Sequence, residues 1–453
     1  MAKPRQVFRC SACGAESRTW QGQCPRCGDW NTLVEEAAPP PVAASRPRAS
    51  TSAAVPASLA SALAEECACL STGIPALDAA LGGGLVSGQA VLLAGEPGIG
   101  KSTLLLQLAG NLAKQGKTAV YVSAEESLAQ LGGRAKRLGL PADAMPALAT
   151  TRAEDAMAAL APLNGVRPDL LVADSVQTMA TDAAEGLPGS VSQVRAVAFG
   201  LVEQAKQSGA VLLLVGHVTK DGQIAGPKLL EHMVDTVLSL EGDRRHHFRI
   251  FRVLKNRFGP GQEVLVLRME AGGLTVVDDP STFFLQDRDP GLPGAALVVA
   301  VDGQRPFAVE VQALAARSFL AMPRRTALGL DTNRLHLLLA VLEKRLNLNF
   351  GQADIYAKIG AGLRLDDPGM DAGLAAAVLS SFYDRPLPEN ACLWGEVDLN
   401  GQIRPVSGHE ARMKQAQRLG LSPILHPAAS PGGVGSHPVA TVADLQKVLF
   451  GKK

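Results

Sequence analysis

The stretch AVLLAGEPGIGKSTLLLQLAGNLAKQ, residues 90–115, decides the fold. Its opening apolar run carries no charge and stops at a glycine, which reads as a strand buried on both faces. GEPGIGKST then fits the spacing Gly-x4-Gly-Lys-Ser/Thr, and helical periodicity resumes directly behind it. In a strand–loop–helix setting of this kind, backbone N–H groups wrap a polyphosphate at a helix N-terminus. The candidate loop is Gly95, Glu96, Pro97, Gly98, Ile99, Gly100, Lys101, Ser102 and Thr103. Lys101 is placed to reach the β and γ oxygens, and Ser102 to offer its hydroxyl to Mg²⁺, so ATP is the expected ligand.

Working outward, TAVYVSAEE (118–126), PDLLVADS (168–175) and AVLLLVGHV (210–218) read as further buried parallel strands. Thr151 with Glu154 and Ser190 with Gln193 fit capping boxes, while Gly116 and Gly209 fit helix stops. The βα repeat predicts an α/β fold with a wound parallel sheet. FRIFRVLK (248–255) and EVLVLRME (263–270) predict an antiparallel ribbon at its edge. Asp174 closes an apolar strand at the edge where ligands sit, which suits a residue holding the magnesium shell. Glu125 and Glu126 follow another strand; either one is placed to polarise an attacking water, and the pair equally suits the cap of the next helix.

The ribbon's first strand ends in LKNRFGPG (254–261), which holds Lys255 and Arg257 between Leu254 and a Phe-Gly-Pro-Gly turn. Two cations there suit an anionic partner, and equally a solvated basic edge. Bulk charge does not choose, because 44 Lys and Arg against 43 Asp and Glu leave +1. A hydrophobic content of 47% over 453 residues supports several buried cores. No run approaches the ~18 apolar residues of a membrane span and the N-terminus lacks an apolar leader core, so the chain reads as cytoplasmic.

CSACGAESRTWQGQCPRCG (10–28) places Cys10, Cys13, Cys24 and Cys27 as two Cys-x2-Cys knuckles. Paired knuckles complete a tetrahedral thiolate shell, for which zinc is the natural occupant, and four thiolates leave no open catalytic position. Arg5, Arg9, Arg18 and Arg26 with Trp20 and Trp30 suit a nucleic-acid grip, and equally a solvated face over core tryptophans. The stretch 35–66 is almost all Ala, Pro, Ser, Thr and charge, and reads as a linker. From about Gly294 the rhythm becomes α+β: ALVVAV and FAVEVQAL flank DGQRP as a hairpin, two helices follow, and Asn400-Gly401 marks another hairpin.

LSTGIPALDAALGGGLVSGQAVLLAGEPGIGKSTLLLQ (70–107), YVSAEES, PGSVSQV, VGHVTKDGQIAGPKLLEHMVDTVL (215–238) and KNRFG, behind a four-Cys knuckle pair, resemble the bacterial RadA (Sms) family of RecA-type DNA repair ATPases. The resemblance covers nearly the whole chain apart from the linker. It implies a zinc finger over 1–34, a linker over 35–69, a RecA-like ATPase over 70–285 and an inactive Lon-protease-like domain over 290–453. It further implies a homo-hexameric ring with ATP between subunits, acting on single-stranded and branched DNA in recombinational repair by translocation and branch migration, alongside recombination or replication proteins. Within it, Lys255 and Arg257 reach the neighbour's γ-phosphate, His217 senses that phosphate, and Lys220 and Lys228 contact DNA in the channel. The acidic loop 181–190 is the first channel loop. A nucleotide-switched DNA scaffold is the alternative, and an ATP-dependent protease the last choice.

The protease reading ranks last for a chemical reason. Laid on the Lon family's Asp-Gly-Pro-Ser-Ala-Gly segment, DDPGMDAG (366–373) puts Gly369 at the serine, and the ungapped run onward puts Arg412 at the lysine base. Glycine is no nucleophile and a guanidinium does not deprotonate. Ser380, Ser381, Ser407 and Lys414 lie off register, with exposed helix or turn positions expected. Arg324, Arg325, Arg364, Arg404 and Arg412 are candidates for a basic surface toward duplex DNA.

Overall fold

The computed structural model describes residues 6–11, 16–17, 20–30, 32–37, 69–162, 165–217, 229–242, 248–285, 288–320 and 322–451. The chain divides into two units, Met1–Glu66 and Cys67–Lys453. In the first, Gln6–Cys10 pairs antiparallel with Glu16–Ser17 on one side and Leu33–Ala37 on the other. Glu35–Ala37, compositionally part of the linker, therefore belong to this sheet. Backbone pairing makes no demand for apolar side chains, so composition missed it.

The second unit holds two large sheets. Strands β1 (Ala90–Gly95), β2 (Ala119–Ser123), β3 (Ala147–Ala149), β4 (Leu170–Asp174), β5 (Val211–His217), β6 (Thr236–Glu241), β7 (Phe248–Asn256), β8 (Val264–Glu270) and β9 (Gly273–Val276) form the first. Their order is β9-β8-β7-β6-β1-β5-β4-β2-β3, parallel from β6 to β3 and antiparallel through β7, β8 and β9. β1, β2, β4 and nearly all of β5 and β6 are buried, as their Val- and Leu-rich runs require when helices cover both faces. Because these strands are parallel, their carboxyl ends share one edge.

The second sheet takes β10 (Ala295–Asp302), β11 (Arg305–Arg317), β12 (Arg325–Leu328), β13 (Ala353–Ile359), β14 (Cys392–Leu393), β15 (Ile424–Pro427) and β16 (Ser436–Val439), in the order β12-β13-β11-β10-β14-β15-β16. Helix Asp371–Tyr383 packs on one of its faces, with Ala375, Ala376, Ala377 and Val378 fully buried.

The two sheets share a core through the β7–β8 ribbon. On one face, Phe251, Val253, Leu265 and Leu267 join the ATPase core around β1 and helix Lys101–Lys114. On the other, Ile250, Val264 and Val266 join the C-terminal core with Val298, Phe307 and Val309. Period-two alternation thus delivers successive residues to different cores.

Two expected helix starts differ from their sequence reading. Helix Ala153–Ala158 has no side-chain cap, and Glu154 accepts instead from the Thr181 hydroxyl at 2.6 Å and the Asp182 N–H at 3.0 Å. Helix Val191–Ser208 does begin after Ser190, but Gln193 turns away to bond Thr181 and Ala184. Both side chains that were expected to close capping boxes hold the 181–190 loop. Gly116 and Gly209 adopt positive φ at their helix ends as expected.

Candidate active site

The phosphate loop leaves β1 at Gly95 and enters helix Lys101–Lys114 through Gly100, whose φ of 119° is closed to other residue types. A Cβ on Gly95 would lie 2.5 Å from the Leu240 carbonyl, so β6 sets the requirement for glycine there. Lys101 is buried and donates to the Gly95 and Glu96 carbonyls at 2.7 and 3.0 Å, which keeps the ammonium within the loop that would receive a phosphate. Ser102 stands in the first helical turn.

The backbone of His217 lies beside Gly95 in the β5–β1 register, at this same edge. Its side chain lies outside the described residues, as do Cys13, Lys220 and Lys228. Asp174 ends β4 at the same edge, buried, and accepts from the Tyr121 hydroxyl at 2.6 Å. Burial, with the Asp174 charge behind it, pushes the Tyr121 phenol well above its ordinary pKa, so the phenol remains a proton donor to the carboxylate. The buried Asp174 carboxylate and the Ser102 hydroxyl are both hard oxygen donors, a set that suits Mg²⁺.

The two glutamates separate. Glu125 is exposed and accepts from the Ser175 hydroxyl at 2.6 Å, beside Asp174. Glu126 is half-buried and ion-paired to Arg134 on helix Leu128–Arg137.

Arg249 is a site residue that sequence reading missed. Within the basic RRHHFR cluster it reads as solvated edge charge, yet it is buried and its Nε donates to the Ile99 carbonyl at 3.0 Å, bracing the phosphate loop from behind. The available signal was an arginine sharing the strand face of Phe251 and Val253, which point into the core.

Lys255 and Arg257 lie at the far edge. β7 runs antiparallel to β6, so Asn256 pairs with Thr236 at the start of β6, where β1 also begins. Lys255 donates to the Glu231 and Val234 carbonyls, both at 2.7 Å, and Arg257 pairs with buried Asp235 at 3.2 Å. Leu254 and Phe258 beside them are 52% and 46% exposed, an apolar rim around two cations.

In the first unit, the sulfurs of Cys10, Cys24 and Cys27 lie within 4.8 Å of one another, with Cys10 and Cys27 at 3.6 Å. Zn–S bonds of about 2.3 Å in a tetrahedron place sulfurs roughly 3.8 Å apart, so this donor set fits zinc. The Cys27 backbone N–H, then that of Arg26, hold the Cys24 thiol below its ordinary pKa, toward the thiolate that a metal needs. Trp20 and Trp30 are 57% and 71% exposed, which rules out the core alternative for both.

In the C-terminal domain a Cβ on Gly369 would lie 2.7 Å from Arg412 Nη1, so the two dyad positions are adjacent in space. Arg412 is fully buried, which removes it from the surface candidates for DNA. Its guanidinium makes a two-pronged pair with Asp367 at 2.7 and 2.8 Å and donates to the Val299 and Ser407 carbonyls. Ser380 is also buried rather than exposed: it accepts from the Gly294 N–H and donates to the Arg385 carbonyl. Arg324, Arg364 and Arg404 are exposed, the last paired with Asp398, and Arg325 is half-buried.

Comparison with known proteins agrees with this anatomy. The KaiC ATPase family matches residues 70–280, the rubredoxin metal binding domain 8–35, and the Lon protease (S16) C-terminal proteolytic domain 343–450. A DNA repair protein RadA from Brucella abortus is 46% identical over 96% of this chain and 93% of its own length. The protein of that name from Bacillus subtilis is 42% identical over 100% of both, and that from Pseudomonas aeruginosa 43% over 99% and 97%. Among the described residues no helix is long and apolar enough to cross a membrane. Matched from end to end by relatives of one name, the chain belongs to the RadA family of DNA repair proteins.

Proposed function

We propose that this protein is a DNA-stimulated ATPase that assembles as a homo-hexameric ring, because the placement of its own cations keeps a lone subunit from acting, and that it moves on single strands to drive branch migration during recombinational repair. The carrying observation is that Lys255 and Arg257 stand at the sheet edge opposite their own phosphate loop. Cations there serve a nucleotide held by the adjoining subunit, with the exposed Leu254 and Phe258 as part of the seam. Six copies in a closed ring give every loop one neighbour, as head-to-tail contacts require.

At each seam, Lys101 and the loop amides bind the substrate ATP, while Ser102 and Asp174 hold Mg²⁺, which when bound neutralises developing phosphate charge. Glu125, held by Ser175 beside Asp174, orients and deprotonates the attacking water, while Glu126 is paired to Arg134. Lys255 and Arg257 of the adjoining subunit add positive charge where it builds up in the transition state, which ties turnover to assembly. His217, beside Gly95, relays the state of the γ-phosphate to the loop carrying Lys220 and Lys228, the proposed backbone contacts for DNA. The C-terminal domain does no peptide chemistry, because Gly369 lacks a nucleophile and Arg412 is locked to Asp367. ATP turnover measured with and without single-stranded and branched DNA tests this reading. Turnover should rise with DNA, and Lys101→Ala and Arg257→Ala should each abolish fork remodelling; remodelling retained in both variants would leave only a nucleotide-switched scaffold.

A further inference from the structure

The β7–β8 ribbon carries more than its two terminal cations. Near its start, Arg249 braces the phosphate loop of its own subunit; at its end, Lys255 and Arg257 face away from it. Between them, Arg252 is held by the C-terminal domain. Its guanidinium pairs with Asp302, at the tip of the β10–β11 hairpin, with Glu241 at 3.1 Å, and with the Arg364 carbonyl at 3.4 Å. The arginine side chain is 17% exposed and that of Asp302 15%, so water screens the pair little.

The next residue of the same tip presses on the ribbon's turn. Gly303 has a φ of 60°, and a Cβ placed there would lie 1.7 Å from the Gln262 carbonyl. Gln262 closes the β7–β8 turn by donating to the Val253 carbonyl at 2.9 Å. With Ile250, Val264 and Val266 packed into the C-terminal core, the ribbon is gripped at its middle, along one face and at its turn.

We propose that the C-terminal domain serves as a positioning element for hydrolysis: the Asp302-Gly303 tip, through Arg252 and Gln262, sets where Lys255 and Arg257 are presented to the neighbouring subunit's nucleotide. This rests on the reading above that those cations act across the seam. Asp302 and Arg252 touch no substrate and act through the ribbon. Displacing a catalytic group by about 1 Å costs on the order of 10²-fold in rate, so a small loss of grip is kinetically visible without unfolding.

The test uses the full-length protein. Asp302→Ala should lower kcat for ATP by about tenfold or more, with KM for ATP unchanged, because the subunit's own phosphate loop is intact. Asp302→Asn, which keeps an acceptor for Arg252, should recover most of the loss. If Asp302→Ala lowers the folded fraction, Arg252→Lys keeps the charge, gives up the forked contact, and should show the same split between kcat and KM. Mixed assemblies then separate the two layers of inference. Lys101→Ala subunits bring sound cations and a dead loop; Asp302→Ala subunits bring the reverse, so their mixture should turn over ATP faster than both alone. Arg257→Ala mixed with Lys101→Ala is the reference pair. If the reference pair complements and the Asp302→Ala pair does not, or if Asp302→Ala and Arg252→Lys keep full kcat, the positioning role is wrong and the cross-seam reading stands. If the reference pair fails to complement, the cross-seam reading falls and this proposal with it.

Discussion

Arg412 shows how a single residue can close one chemistry and take on another task. A buried guanidinium bound to a buried carboxylate is costly to break, because the survivor is left charged and unpaired. Arg412→Ala should therefore lower stability by about 3–5 kcal/mol in denaturant titrations. Gly369→Ser should restore no peptidase activity against an unstructured substrate, since the new side chain meets Arg412 where a neutral lysine would be needed. His426 makes a separate prediction. It is buried against Trp394, with ring centroids 6.4 Å apart, and burial holds its imidazole below the ordinary pKa, opposed by the Pro427 carbonyl and reinforced by the charges of His409 and His437. The unfolded chain takes up a proton near pH ~6.5 while the folded one does not. Stability should thus be complete above that pH and fall as pH drops through it, and His426→Phe should flatten the slope of melting temperature between neutral and mildly acid buffer.

At the level of elements, the cysteine knuckles and the phosphate loop were legible because their signals are local. Spacing of four cysteines, or of glycines before Lys101, specifies geometry within a few residues. Zinc removal should follow from this locality: Cys24→Ser should release the metal to a chromophoric chelator while ATP affinity of the Cys67–Lys453 unit stays unchanged. The capping boxes misled because Glu154 and Gln193 had long-range partners in the 181–190 loop, which no local pattern encodes. Arg249 was hidden for a related reason. The RRHH run just before its strand is basic, whereas in space its Nε meets the phosphate loop, so composition pointed to solvent. The ribbon was legible as an antiparallel pair, but an alternation apolar on both faces says nothing of which core receives each face.

At the scale of the whole molecule, the proposed function makes a subunit whose cations stand at the edge opposite its own phosphate loop an incomplete enzyme. Turnover per subunit should fall on dilution below the assembly threshold, as followed by light scattering beside a coupled phosphate assay. Arg257→Ala should cost on the order of 10³-fold if it acts as a finger in trans. Assembly lies beyond what one chain's pattern can specify, and the resemblance to a family supplied that expectation where periodicity could not. The shared ribbon bears on how such a chain can be cut. Removing everything after the helix Pro280–Leu285 would strip the cover from Ile250, Val264 and Val266. At roughly 1.5–3 kcal/mol for each buried side chain, the exposure is comparable with the entire stability of a typical domain. A Lon-like domain that walls one face of the ATPase ribbon cannot be discarded as a relic, and a gene fragment encoding the ATPase domain alone should yield insoluble protein.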